Sequence, residues 1–155
     1  MASRGELQLR AVGTQAEMDE CLLVRRAVFI EEQGVPEAEE IDSHDGDPAR
    51  VSSAVHVLGR LPGRAVATGR LLLDHTPSDN AHIGRVAILP ELRDRGYGRA
   101  VMEALHVEAR RRDFPGITLA AQLQAIPFYE RLGYVARGAV FLDAGIEHRW
   151  MDLRL

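Results

Sequence analysis

Val86-Ala87-Ile88-Leu89-Pro90-Glu91-Leu92-Arg93-Asp94-Arg95-Gly96-Tyr97-Gly98-Arg99 decides how this chain is read, because an apolar strand there runs into a glycine-spaced turn that opens a helix. Glycines let backbone N–H groups approach an anion closely, and the first turn of the following helix adds orphan donors and partial positive charge. Arg93, Arg95 and Arg99 fall within the same turn. The chemical reading is a phosphate cradle and the structural one a bare strand-to-helix turn. The glycines alone do not separate the two.

Several phosphate-binding chemistries are closed to this chain. All 19 basic residues are arginine, which rules out a Walker-type loop, a pyridoxal Schiff base and a lysine nucleophile, since each needs an amine. A dinucleotide fingerprint needs a third glycine where Val101 stands, and its acidic ribose partner, ~20 residues on, is not clearly placed. A cradle here must work through backbone and guanidinium.

Upstream of the cradle, residues 6–12 alternate apolar and polar and predict a strand stopped by Gly13. Thr14 with Glu17 forms a capping-box pattern, and Met18, Cys21, Leu22, Val24, Val28 and Phe29 keep near-helical spacing up to Gly34 and Pro36. Residues 36–48 have no period and read as a loop holding at most a short helical turn. Strands over 52–58 and 65–73, joined by a Gly/Pro turn, predict an antiparallel hairpin, followed by a loop over 75–80 and a strand over 81–88.

Downstream, residues 98–112 predict an amphipathic helix with Arg110, Arg111 and Arg112 at its C-terminal end. A short strand over 117–121, a helix over 125–132 stopped by Gly133, and strands over 134–141 and 146–153 complete the chain. The order β-α-β-β-β-α-β-α-β-β implies an α/β (α+β mixed) fold: one mixed central sheet with flanking helices and a parallel crossover at the cradle. At 155 residues and 46% hydrophobic content, with no linker or repeat, residues 1–155 form a single domain.

The lone cysteine, Cys21, lies among Leu22, Leu23 and Val24 and reads as packing, in keeping with a reducing, cytoplasmic setting. No signal-peptide pattern and no apolar run of ~18–20 residues is present, so a membrane role is not expected. The formal charge of −4 disfavours a generic nucleic-acid surface. Charge is nonetheless uneven, with Glu31, Glu32, Glu37, Glu39, Glu40, Asp42, Asp45 and Asp47 in a stretch without arginine. Within it, Asp42-Ser43-His44-Asp45 cannot be a hydrolase triad, because near-adjacent residues do not reach that geometry. It also lacks the glycine and closing glutamate of an EF-hand, and no metal site is expected.

Arg93-x-x-Gly96-x-Gly98 between strand and helix resembles the R/Q-x-x-G-x-G/A element of GNAT-superfamily N-acetyltransferases. Gln122-Leu123-Gln124-Ala125-Ile126-Pro127-Phe128-Tyr129-Glu130-Arg131-Leu132-Gly133-Tyr134 resembles the same superfamily's N-x-x-A-x-x-F-Y-x-x-x-G-F segment. Arg25 to Gln33, followed by Pro36, Asp42 and Asp45, and the closing Gly145-Ile146-Glu147-His148 with Met151, are similar to the ElaA-like branch. The chain departs from these patterns at Asp94, where glycine is common, at Gln122, where asparagine is common, and at Glu147, where proline is common.

The resemblance implies a GNAT fold in which the strands over 81–88 and 117–122 splay and acetyl-CoA lies between them. Pantetheine would pair with the backbone of Val86, Ala87 and Ile88. The pyrophosphate would meet Arg93 and the N–H groups of Asp94, Arg95, Gly96, Tyr97, Gly98 and Arg99, with Gln122, Phe128 and Arg131 along the far wall. Tyr129 matches the family's general-acid position, its phenol near ~10 being suited to a departing thiolate; the plainer reading is a packed aromatic. His82 and Glu32 are both candidate bases. Glu32, Gln33, Asp42, His44, Asp45 and His148 are the expected acceptor-side residues, with the acidic ones forming a rim for a cationic amine. The expected activity is direct acetyl transfer to a small-molecule or peptide amine in a ternary complex, and the alternative is a coenzyme A-binding regulatory module without turnover. The resemblance also allows a homodimer through the last strands.

Overall fold

The computed structural model of the chain describes residues 6–74 and 79–155, so most of the loop expected over 75–80 lies outside the described residues. Seven strands form one mixed sheet: β1 (Gln8–Ala11), β2 (Ala54–Leu61), β3 (Arg64–Leu72), β4 (Ala81–Ile88), β5 (Gly116–Gln122), β6 (Val135–Asp143) and β7 (Ile146–Arg154). Their order is β1-β2-β3-β4-β5-β7-β6, with every pairing antiparallel except β4 with β5. The parallel pair is the one bridged by α3 (Tyr97–Arg111), as a crossover connection requires.

α1 (Gln15–Arg25) starts at Thr14, whose hydroxyl accepts from the Glu17 N–H at 3.2 Å. Glu17 returns its carboxylate to the N–H of Gly13, at 2.9 Å, one residue earlier than the reciprocal bond of a standard capping box. From Arg26 to Glu32 the helix loosens into a π-helical turn, and the Gln33 N–H reaches back five residues to the Val28 carbonyl at 3.1 Å. Such turns insert one extra residue and re-aim the side chains that follow, here Glu32 and Gln33. The stretch read as a loop holds the short α2 (Glu37–Glu40) and a 3₁₀ turn over Ser43–Asp45 capped by Asp42.

The main core fills the space between α3 and the sheet, around Leu71, Val101, Met102, Leu105, Ile117 and Met151. A second layer, with Met18, Cys21 and Leu58 fully buried, seats α1 on the opposite face. Burial pushes the Cys21 thiol up to about 11, which leaves it a packing group. No helix among the described residues is long and apolar enough to cross a membrane.

Candidate functional site

β4 and β5 pair at only two positions, Ala81 with Ile117 and His82 with Thr118. Beyond these, each strand follows its outer neighbour: β4 stays on β3 as far as Ile88, and β5 stays on β7 as far as Gln122. The two therefore part, and a cleft of about 1050 Å³ opens between them. The inner edge of β4 from Ile83 onward is left without a ladder partner, a row of backbone groups that an extended ligand can satisfy.

A bulge lies just beyond the point where the strands part. Between Thr68 paired with Ala87 and Arg70 paired with Gly84, β3 spends one residue and β4 spends two, Arg85 and Val86. Arg85 adopts φ +55°, a left-handed conformation costly for a residue with a Cβ. It is held there by its side chain: Nε donates to the Glu40 carbonyl at 3.1 Å and Nη2 to the Glu39 carbonyl at 3.2 Å.

The cradle forms at one end of the cleft. Gly96, at φ +82°, precedes α3, whose N-terminal end points its partial positive charge into the turn with no side-chain hydrogen bond from the cap residue. Asp94 is also left-handed, at φ +64°, which explains why glycine suits the position and why aspartate, more tolerant of this region than most residues, can replace it. A Cβ on Gly98 would lie 3.3 Å from the Phe128 ring, so glycine here lets the aromatic close over the first turn of α3. Arg93 donates Nε to the Ile88 carbonyl and both terminal nitrogens to Glu32, at 2.7 and 2.6 Å. This pairing holds the Glu32 carboxyl below its usual range.

Across the cleft, α4 (Ile126–Arg131) carries Phe128 and Tyr129, whose rings meet edge to face at 5.0 Å. Tyr129 lines the cleft, and burial pushes its phenol up to about 12. Its hydroxyl has no hydrogen-bond partner among the described residues, so it is a protonated donor without an internal acceptor. Gln122 Nε2 donates to Gln33 Oε1 at 2.9 Å, joining the end of β5 to the π-helical segment. His82 stands edge-on to Trp150 at 6.1 Å, and Trp150 stacks on Phe141 at 5.0 Å. His148, on the same wall, directs Nδ1 to the Ile146 carbonyl at 2.7 Å.

Of the residues singled out from sequence, Val86, Ala87, Ile88, Arg93, Asp94, Gly96, Tyr97, Gly98, Arg99, Gln122, Phe128 and Tyr129 line this one cleft, with Glu32, Gln33, His82 and His148. Arg95 and Arg131 do not line it, and Arg131 is exposed. The expected acidic rim takes a different form. Asp42, His44 and Asp45 are not on the cleft wall, because Asp45 turns inward to Arg25 at 2.6 Å, Asp42 chelates Arg70 at 2.8 and 2.9 Å, and His44 bonds Ser53 at 2.7 Å. Glu32 is likewise not a free base, since both its oxygens are engaged by Arg93. Sequence reading missed Arg70 and Arg85, which do line the cleft. Neither sits in a motif; an arginine in each of two strands otherwise reading as buried was the available signal.

The acetyltransferase (GNAT) domain family matches residues 66–155. The Bacillus subtilis protein YyaT is 33% identical over 92% of each chain. YjcF, an uncharacterized N-acetyltransferase of the same organism, is 33% identical over 88% of this chain and 92% of its own. Among solved structures, Escherichia coli ElaA superposes with a TM-score of 0.80 at 25% identity, covering 94% of this chain and 98% of ElaA. An acyl-CoA N-acyltransferase from Pseudomonas aeruginosa gives a TM-score of 0.79 at 30% identity, over 94% and 98% of the respective chains.

Proposed function

Because the chain belongs to the GNAT acetyltransferase family, we propose that it moves an acetyl group from acetyl-CoA directly to an amine within a ternary complex. The observation that carries this reading is the early divergence of β4 from β5, with an anion cradle at one end of the gap and the Tyr129 hydroxyl opposite the open strand edge. Pantetheine lies along Val86, Ala87 and Ile88 as an added strand. The diphosphate takes the N–H groups from Asp94 to Arg99, beside the Arg93 guanidinium that Glu32 and the Ile88 carbonyl hold in place. Gln122 and Phe128 close the far wall.

The amine attacks the thioester carbonyl as its neutral form, with its proton leaving through His82. A free N–H on the open β4 edge holds the oxyanion. Collapse of the tetrahedral intermediate expels the coenzyme thiolate, and Tyr129 protonates it. A phenol raised by burial stays protonated at neutral pH, and the same dry surroundings raise the basicity of the thiolate that receives its proton. Glu32 acts as the counter-ion that positions Arg93 and not as the base.

Calorimetric titration with acetyl-CoA tests the binding step, and free-thiol release with a gain of about 42 Da on an amine tests transfer. Tyr129→Phe is expected to lower kcat by about 10²–10⁴-fold while leaving acetyl-CoA affinity within about threefold. An unchanged kcat would remove Tyr129 from the acid role. We also place the homodimer allowed by the resemblance at edge strand β6, where Val135, Val140 and Leu142 are exposed; sedimentation velocity checks it. The buried thiol is in keeping with a cytoplasmic site of action.

A further inference from the structure

Arg70 and Arg85 meet at the bulge of β4, on the face of the sheet that carries α1 and α2. Arg70 is 5% exposed, and its Nε is buried without a hydrogen-bond partner. Its two terminal nitrogens are spent on Asp42 and, through Nη1 at 3.1 Å, on Asp45. Arg85 commits Nε and Nη2 to the backbone of Glu40 and Glu39, while Nη1 has no partner among the described residues. Both arginines line the cleft.

The three carboxylates that meet these arginines are engaged, and Glu39, also on the cleft wall, gives Arg85 its backbone carbonyl. Glu40 meets Arg25 at 2.8 Å and Arg85 at 3.2 Å, Asp45 meets Arg25 at 2.6 Å, and Asp42 meets Arg70 at 2.8 Å. Three carboxylates thus face three guanidiniums, Arg25, Arg70 and Arg85, and the donors left over belong to the two that reach the cleft. A polyamine would bring positive charge against them, whereas an anion finds N–H groups. Burial first, and then the neighbouring Arg70, pull the Arg85 pKa down, against Glu40 and Asp42, which raise it.

We propose that the acceptor amine carries a carboxylate, held at Arg85 and Arg70, and is therefore of the free amino acid class. This rests on the acyl-transfer reading above and names its acceptor. Arg85 immediately precedes Val86, where the strand edge proposed for pantetheine begins. A carboxylate gripped at Arg85 sets an α-nitrogen only two bonds from the carboxyl carbon, facing that edge. Trp150 and His148 on the opposite wall then receive the body of the side chain. A peptide N-terminus, lacking the adjacent free carboxylate, fits less well.

The test compares the twenty protein amino acids with their carboxamides as acceptors for the wild-type enzyme, reading free-thiol release from acetyl-CoA. The best free amino acid is expected to exceed its amide by at least about tenfold in kcat/KM, since the site's donors would otherwise go unpaired. Arg85→Gln is expected to reduce that preference to within about threefold, and Arg85→Lys to restore part of it, both read as the ratio of acid to amide at saturating acetyl-CoA so that a change in coenzyme affinity cancels. Because Arg85 also holds the bulge, the wild-type comparison stands independently of whether the variants fold. Equal or better use of the amides overturns the proposal, as does a folded, coenzyme-binding Arg85→Gln that keeps the preference. Binding of acetyl-CoA with no turnover of any amino acid overturns the acceptor class and leaves the coenzyme site standing. Failure to bind acetyl-CoA removes the acyl-transfer reading, and the acceptor with it.

Discussion

Asp94 shows how one residue can satisfy a backbone and still oppose its ligand. Its φ of +64° lies in the region glycine enters freely, and its carboxylate stands in a turn whose other groups are N–H donors and arginines. Asp94→Gly is expected to raise stability by about 0.5–1 kcal/mol and to tighten acetyl-CoA binding by about threefold or more; chemical denaturation and calorimetry read the two effects separately. The two candidate bases can be told apart in the same way. With both oxygens on Arg93, Glu32 has little basicity to offer, whereas His82 lines the cleft near the splay point. His82→Gln should lower kcat by about 10²-fold, while Glu32→Gln should keep kcat within about fivefold. The reverse ranking would reassign the base. Sequence spacing could nominate both residues, but only the position of Arg93 distinguishes them, because the pair is separated by 61 residues along the chain.

Elements are positioned here by absent side chains as much as by present ones. α3 lies so close to β3 that a Cβ on Gly69 would sit 2.8 Å from Leu105 Cδ1 and 2.9 Å from Val101 Cγ1. Gly69→Ala should therefore destabilise the protein by about 1–3 kcal/mol, with the cost coming from overpacking, as urea denaturation would show. Gly69 is also the β3 residue opposite the two-residue bulge of β4, so the variant should weaken acetyl-CoA binding as well. The strand and helix order could be read from apolar periodicity because each element presents one face to a core. The π-helical turn over Arg26–Glu32 could not, since one extra residue per turn looks like an ordinary helix ending in the sequence. The bulge was hidden for a similar reason: strand alternation specifies faces, not the partner count on a neighbouring strand.

Across the molecule, acid sensitivity follows from histidines buried as neutral rings. His106, on α3, faces the Tyr134 hydroxyl at 2.7 Å, with Arg110 and Glu103 as its charged neighbours. Burial first, and then Arg110, pull its pKa down to about 4. The unfolded value is near ~6.5, so the stabilisation is complete above that pH and is lost as pH falls toward about 4, a contribution of roughly 3 kcal/mol. Thermal melts from pH 7 to 4 should show this decline. His106→Gln should flatten much of it, leaving the smaller slope of His56, whose pKa burial also lowers. By itself, the sequence determined the order of elements, the single crossover and the two motifs that meet across the cleft, because periodicity and local turn chemistry are written in neighbouring residues. Only the tertiary structure decided which charges are free. Glu32, Asp42 and Asp45 read as an acceptor rim until Arg93, Arg70 and Arg25, drawn from a turn, a strand and a helix, are found to engage them. Pairing between residues distant in the chain depends on the fold that brings them within hydrogen-bond reach, and no local pattern encodes it.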